Sequence, residues 1–138
     1  MANRNYASGG RMYSMGVKPV IVNANITIGS AGAVTSFTGA MINSVTLSST
    51  GTYVISLSNN FSGLHYAAGS MQSPASGVSG IVAVEVQNSP NTNITNLANP
   101  TLTVKTLSAS DALANPASGS VLSVIMYLSD SSIQIGGE

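Results

Sequence analysis

The side chains able to do chemistry in this chain are few and far apart. Histidine occurs once, at His65 in the segment GLHYAAG, and the acids are Glu85, Asp111, Asp130 and Glu138. A lone imidazole can titrate near neutral pH and act as a base or a metal ligand. No acid lies within nineteen residues of His65, and there is no second histidine to build a metal site around it. The plainer reading of His65 is a structural or surface residue. General acid–base work by a carboxylate pair needs two of the four acids together. Glu85 falls on the strand face opposite Val84 and Val86. Asp111 and Asp130 fall in predicted loops, where an Asp side chain commonly closes a turn. Serine is abundant, but no G-x-S-x-G elbow occurs, and a Ser–His–Asp triad would have to use the one histidine. No G-x-G-x-x-G or P-loop is present. With no cysteine, thiol catalysis, zinc–thiolate sites and disulfides drop out together. The expectation is a protein that is not an enzyme, with no catalytic residue, no metal and no cofactor.

Charge carries more information. Lys and Arg number 4 and Asp and Glu number 4, so 6% of residues are charged. A soluble domain usually carries about a quarter. Arg4, Arg11 and Lys18 lie in the opening MANRNYASGGRMYSMGVK, which has no acid, while Lys105 faces all four acids in the remainder. A basic leader therefore precedes a slightly acidic, nearly neutral body. Nucleic-acid binding needs a field of Lys and Arg, which the body lacks, so no nucleic-acid partner is expected. No apolar run reaches the roughly 18 to 20 residues that span a bilayer, and no apolar stretch follows the leader's basic residues as a secretory signal requires. No membrane partner is expected either.

The elements that would position any site are strands. Val20, Val22, Ala24, Ile26 and Ile28 alternate with smaller or polar residues, the period-two pattern of a strand with one buried face. Val45 and Leu47 lead into the turn Ser48–Gly51, and Tyr53, Ile55 and Leu57 then alternate with Thr52, Val54 and Ser56. Val82, Val84 and Val86 form another set, and Leu102, Val104 and Thr106 the next. VLSVIMYL (121–128) is apolar on both faces and reads as a central strand covered on each side. Ile133 and Ile135 add a last short strand. The only helix signal is weak: residues 59–68 fit a single turn capped by Asn59 or Asn60, with Gly63 against anything longer. Strands separated by Gly, Pro, Asn and Ser clusters predict an all-β fold, a jelly-roll-like antiparallel β-sandwich of about eight strands over residues 19–138. Residues 1–18 form an extended basic arm ahead of it.

Outward strand positions predict assembly. Antiparallel sheets usually put Lys, Glu and Arg on the wet face and guard their edges with charge. Here those positions hold Ser, Thr, Asn and Ala. Neighbouring subunits covering that surface would resolve the problem, although Ser and Thr also serve as ordinary β-surface residues. In the arm, Arg4, Tyr6, Arg11, Met12, Tyr13, Met15 and Lys18 are the candidate partner-binding residues. Tyr and Arg are enriched at interface hot spots, and Met adapts to irregular grooves. The competing reading is a frayed terminus, but disordered tails usually lack such aromatic and apolar side chains.

GTYVISLSNNFSGL (51–64) resembles the G-x-Y-x-x-x-L-x-x-x-[YF]-x-x-L segment of small virion structural proteins of tailed bacteriophages. DALANPASGSVLSVIMYLSDSSI (111–133) is similar to their closing pattern of an Asp-to-ASG loop, an apolar strand and a short polar ending. Ala114–Asn115–Pro116 within that loop depart from the pattern. The basic glycine-bearing leader, a strand and then GSAGAVTSFTGAMINSVTLSS (29–49) fit its opening. The resemblance implies a non-enzymatic β-sandwich, often a homotrimer, that decorates the outer surface of the virion head as a cement protein. It would bind the major capsid protein and other copies of itself. A tail, neck or fibre subunit is the alternative within the same particle. A glycan- or receptor-binding β-sandwich is a third reading, for which Tyr66 and Phe61 would be the stacking residues.

Overall fold

A computed structural model of the chain describes residues 19–87 and 100–130 and shows a sandwich of two four-stranded antiparallel sheets. The strands are β1 (Pro19–Ile28), β2 (Val34–Thr38), β3 (Ile42–Ser49), β4 (Thr52–Leu57), β5 (Phe61–Gln72), β6 (Ala83–Val86), β7 (Thr101–Leu107) and β8 (Val121–Asp130). The first sheet runs β2-β1-β8-β5 and the second β3-β4-β7-β6. The β1–β8 ladder pairs Pro19 with Ser129 and Thr27 with Val121. Nested inside it in sequence, but lying in the other sheet, β4 pairs with β7 from Thr52 opposite Lys105 to Ser56 opposite Thr101.

Period-two patterning builds the core. Val22, Ala24, Ile26 and Ile28 of β1 and Leu122, Val124, Met126 and Leu128 of β8 point inward and are buried. Tyr53, Ile55 and Leu57 of β4 and Leu102 and Val104 of β7 meet them from the second sheet. Each large apolar side chain among these contributes about 1.5–3 kcal/mol by leaving water. The sheets close at one edge because Gly69 of β5 offers no side chain where the β-branched Val84 of β6 packs against it.

One end of the sandwich is tied by a polar cluster. The 3-10 turn Ser30–Gly32, the β3–β4 hairpin turn and the loop before β8 converge on Asn115. The Gly51 N–H donates to Asn115 Oδ1 at 2.7 Å, and Asn115 Nδ2 donates to the Ala31 carbonyl at 2.8 Å. Gly32, at φ 80°, leaves the room that Asn115 occupies: a Cβ there would lie 2.5 Å from Asn115 Cγ. Tyr53 reaches the same turn from the core, its hydroxyl donating to the Gly32 carbonyl at 2.9 Å. Burial pushes its phenol from 10.0 up to about 12, since the charged phenolate would be stripped of water. The buried Thr106 hydroxyl donates to the Ala114 carbonyl at 2.6 Å. Asn115, which stands outside the virion-protein pattern, is thus a clamp between three loops.

Several expectations change. Residues 59–68 form no helical turn, because most of them belong to β5, which pairs with β8 along its length. Ladder hydrogen bonds and packing against Val84 override the weak local preference of Gly and Ala for strands. β2 was not legible at all. Asp130 ends β8 and is not in a loop. β8 is central in its sheet, but among the described residues no layer covers its outer side, and Tyr127 there is 42% exposed. Val82 lies just ahead of β6 and is exposed. Phe61, expected as a surface stacking residue, is 3% exposed and packs in the core. The last short strand at Ile133 and Ile135 lies outside the described residues.

Candidate functional site

The outward face of the first sheet is where the sequence leaves apolar side chains in solvent. Strand alternation turns Ile21, Asn23 and Asn25 of β1 away from the core, and likewise Ser123, Ile125 and Tyr127 of β8. Register then sets them in rows. Tyr127 lies opposite Ile21 on one side and Tyr66 of β5 on the other. Ile21 is 56% exposed and Tyr66 is 54% exposed. The Tyr66 and Tyr127 ring centroids are 5.9 Å apart with planes tilted by 43°, a favourable aromatic pairing. The next row is Asn23, Ile125 and Ala68, and the one after it Asn25, Ser123 and Ser70.

The small side chains of those last two rows leave a shallow hollow of about 420 Å³ beside the aromatic ridge. Two hydrogen bonds centre on Ser123 in its lining. Ser123 Oγ donates to Asn25 Oδ1 at 2.7 Å, and Gln72 Nε2 donates to Ser123 Oγ at 3.3 Å. None of these outward positions is Asp, Glu, Lys or Arg. The outward face of the second sheet is built differently. Thr46, Val54 and Thr103 form one row there, and Glu85 and Lys105 stand opposite each other in register.

The residues singled out for chemistry do not gather. His65 is exposed on β5, and its Nε2 lies 2.5 Å from Ser129 Oγ on β8. In residue type that is a base beside a nucleophile. Ser129, however, is buried, at 5% exposed. The pair fastens the irregular part of β5, where the register shifts between Leu64 and Tyr66, to β8. Glu85 sits on the second sheet. Asp111 occupies a turn at φ 59°, its N–H donating to the Ser108 carbonyl at 3.0 Å. Among the described residues no group of three His, Cys, Asp or Glu could hold a metal ion. The candidate arm residues Arg4, Tyr6, Arg11, Met12, Tyr13, Met15 and Lys18 lie outside the described residues.

Ile21, Ile125 and Tyr127 were missed as surface residues. For Ile125 and Tyr127 the signal was present in VLSVIMYL: a strand apolar on both faces is either covered twice or exposes one apolar face, and sequence alone cannot choose. What fold and site define is an all-β sandwich with one aromatic-ridged sheet face whose described rows hold no Asp, Glu, Lys or Arg. Comparison with protein-family models, curated proteins and solved structures returns no match.

Proposed function

We propose that this chain is a structural subunit of a tailed-phage virion, a capsid decoration (cement) protein that works by adhesion and not by catalysis. The observation that carries the reading is the open face of the first sheet, which sets Ile21, Tyr66 and Tyr127 in one exposed row, with no Asp, Glu, Lys or Arg in the adjoining described rows. The resemblance of segments 29–49, 51–64 and 111–133 to virion proteins supplies the kind of particle. In this reading the body associates with copies of itself and holds to the major capsid protein on the outer surface of the head. Contacts of that kind bury surface a free subunit would leave wet. The basic arm, with Arg4, Arg11 and Lys18, adds a charge-assisted grip on the shell, which salt weakens, whereas apolar burial scarcely responds to salt.

The test is attachment to purified heads that lack the protein. The full chain is expected to sediment with the heads. A chain lacking residues 1–17 is expected to remain folded but bind more weakly, with a shallower salt dependence. Failure of the full chain to bind heads, or its recovery only with tails, would overturn the reading.

A further inference from the structure

We infer that the outward face of the β2-β1-β8-β5 sheet is the surface through which one copy of this chain binds another, with Ile21, Tyr66 and Tyr127 at its centre. This deepens the adhesion reading, from which it takes only the premise that the protein acts by binding.

Four observations point to a second copy as the occupant. The first is concentration of apolar surface: three of the exposed large apolar side chains fall in one cross-strand row, whereas Met41, Val78, Val82 and Leu113 fall outside that sheet. Scattered exposed apolar residues are ordinary, and a contiguous group marks an interface. The second is the contrast with the other sheet, whose outward face carries Thr46, Thr103, Glu85 and Lys105 in the same solvent.

The third is charge. When identical surfaces meet, a charged residue near the symmetry axis faces its own like charge, and elsewhere it loses water without a guaranteed partner. Among its described rows this face has no Asp, Glu, Lys or Arg, with His65 at its margin held by Ser129, and so avoids both costs. It offers nothing complementary to a charged partner, and the uncharged surface present in every solution of this protein is another copy of the face itself. The fourth is shape and size. A tyrosine ridge beside a hollow of about 420 Å³ is a knob next to a hole, so rotation of one copy against another seats the ridge of each on the hollow of the other. Strands β1 and β8 have 10 residues each. At about 3.4 Å per residue and about 4.8 Å between strands, a four-stranded face offers roughly 500–650 Å² per copy. Two copies then bury roughly 1,000–1,300 Å², which reaches the lower range of specific interfaces.

The experiment is sedimentation equilibrium of the full chain at micromolar concentration, with circular dichroism to confirm folding. Wild type is expected to be an oligomer. The double variant Ile21→Lys/Tyr66→Lys changes two side chains that are more than half exposed, so the fold should survive, and it is expected to sediment as a monomer with association weakened at least 100-fold. Thr46→Lys, on the outward face of the second sheet, should leave the oligomer unchanged. Because the chain has no cysteine, Ser70→Cys and Thr46→Cys give a second measurement that needs no disruptive change. Alkylation of the Ser70→Cys thiol should slow as protein concentration rises, and that of Thr46→Cys should not.

A monomeric wild type, an oligomer untouched by the two lysines, or equal alkylation at both positions would each overturn the inference. So would binding of a neutral glycan that the double variant abolishes in a monomeric wild type, which would assign the face to a sugar. Failure of head attachment with the oligomer intact would instead remove the virion reading and leave this surface standing.

Discussion

Replacing Tyr53 by Phe tests the account of the clamped end in two independent ways. The Tyr53 side chain is fully buried, and its hydroxyl donates to the Gly32 carbonyl at 2.9 Å. Phe fills the same space but leaves that carbonyl without this donor, which costs about 1–2 kcal/mol. The second effect depends on pH. Unfolded, the phenol ionises near 10.0, and folded, burial holds it protonated to about 12. Below pH 10 both states keep the proton, and the tyrosine's contribution is complete. Between pH 10 and 12 the unfolded chain gives up its proton first, so the native state loses relative stability. Two pH units at about 1.36 kcal/mol each set a ceiling of about 2.7 kcal/mol for that loss. The Phe variant has no such group to titrate. Wild type is therefore expected to be the more stable by about 1.5 kcal/mol at pH 8, with the two curves converging and crossing near pH 11. Urea unfolding followed by circular dichroism at each pH reads this directly, and the difference between the two proteins cancels every contribution they share. Equal stability at pH 8, or a gap that stays constant from pH 8 to 11.5, would refute the assignment.

Two further substitutions probe the same framework. Asn115→Ala removes the acceptor for the Gly51 N–H and the donor to the Ala31 carbonyl at once. A loss of about 2–3 kcal/mol is expected in thermal or urea unfolding, and a change under 0.5 kcal/mol would mean that Asn115 is not a clamp. Gly69→Ala pushes a methyl group into Val84 where the sheets close, with an expected cost of about 1–3 kcal/mol. Adding Val84→Ala should recover part of it, so a double-mutant cycle with no coupling would show that the two residues do not share this space.

Legibility divided by the kind of force involved. β1, β4 and β7 could be read because their inward positions Val22, Ile26, Ile55, Leu102 and Val104 alternate with smaller or polar residues, and burial on one side imposes period two. The β3–β4 turn was legible from its small residues. β5 was not, because HYAAGS carries no strand preference of its own. Its small side chains answer a tertiary requirement, the approach of Val84 to Gly69, that sequence does not display. The candidate face failed to show for a related reason. Ile21, Tyr66 and Tyr127 lie 45 and 61 residues apart along the chain, and only the β1–β8–β5 register makes them a row. Asn115 resembled any loop asparagine, since its role depends on three loops meeting.

The structure also moves the argument for assembly from edges to a face. Sparse charge implied unguarded sheet edges that neighbours must cover. The edge strands are in fact guarded by geometry. β2 has 5 residues and β6 has 4, and short strands template little pairing. The two longer edges, β3 and β5, each shift register twice, at Ile42/Ser44 and Leu47/Ser49 and at Phe61/Gly63 and Leu64/Tyr66. Irregularities of that kind break the straight row of N–H and C=O groups an incoming strand needs. A chain that protects its edges without charge can leave a whole sheet face neutral and still avoid open-ended strand addition. Contact through such a face joins side chains rather than backbones, so it can close on itself by symmetry and stop. That outcome requires the ridge of Ile21, Tyr66 and Tyr127 to be the adhesive element. If edge backbones were instead the contact, charging that ridge would leave the oligomer intact.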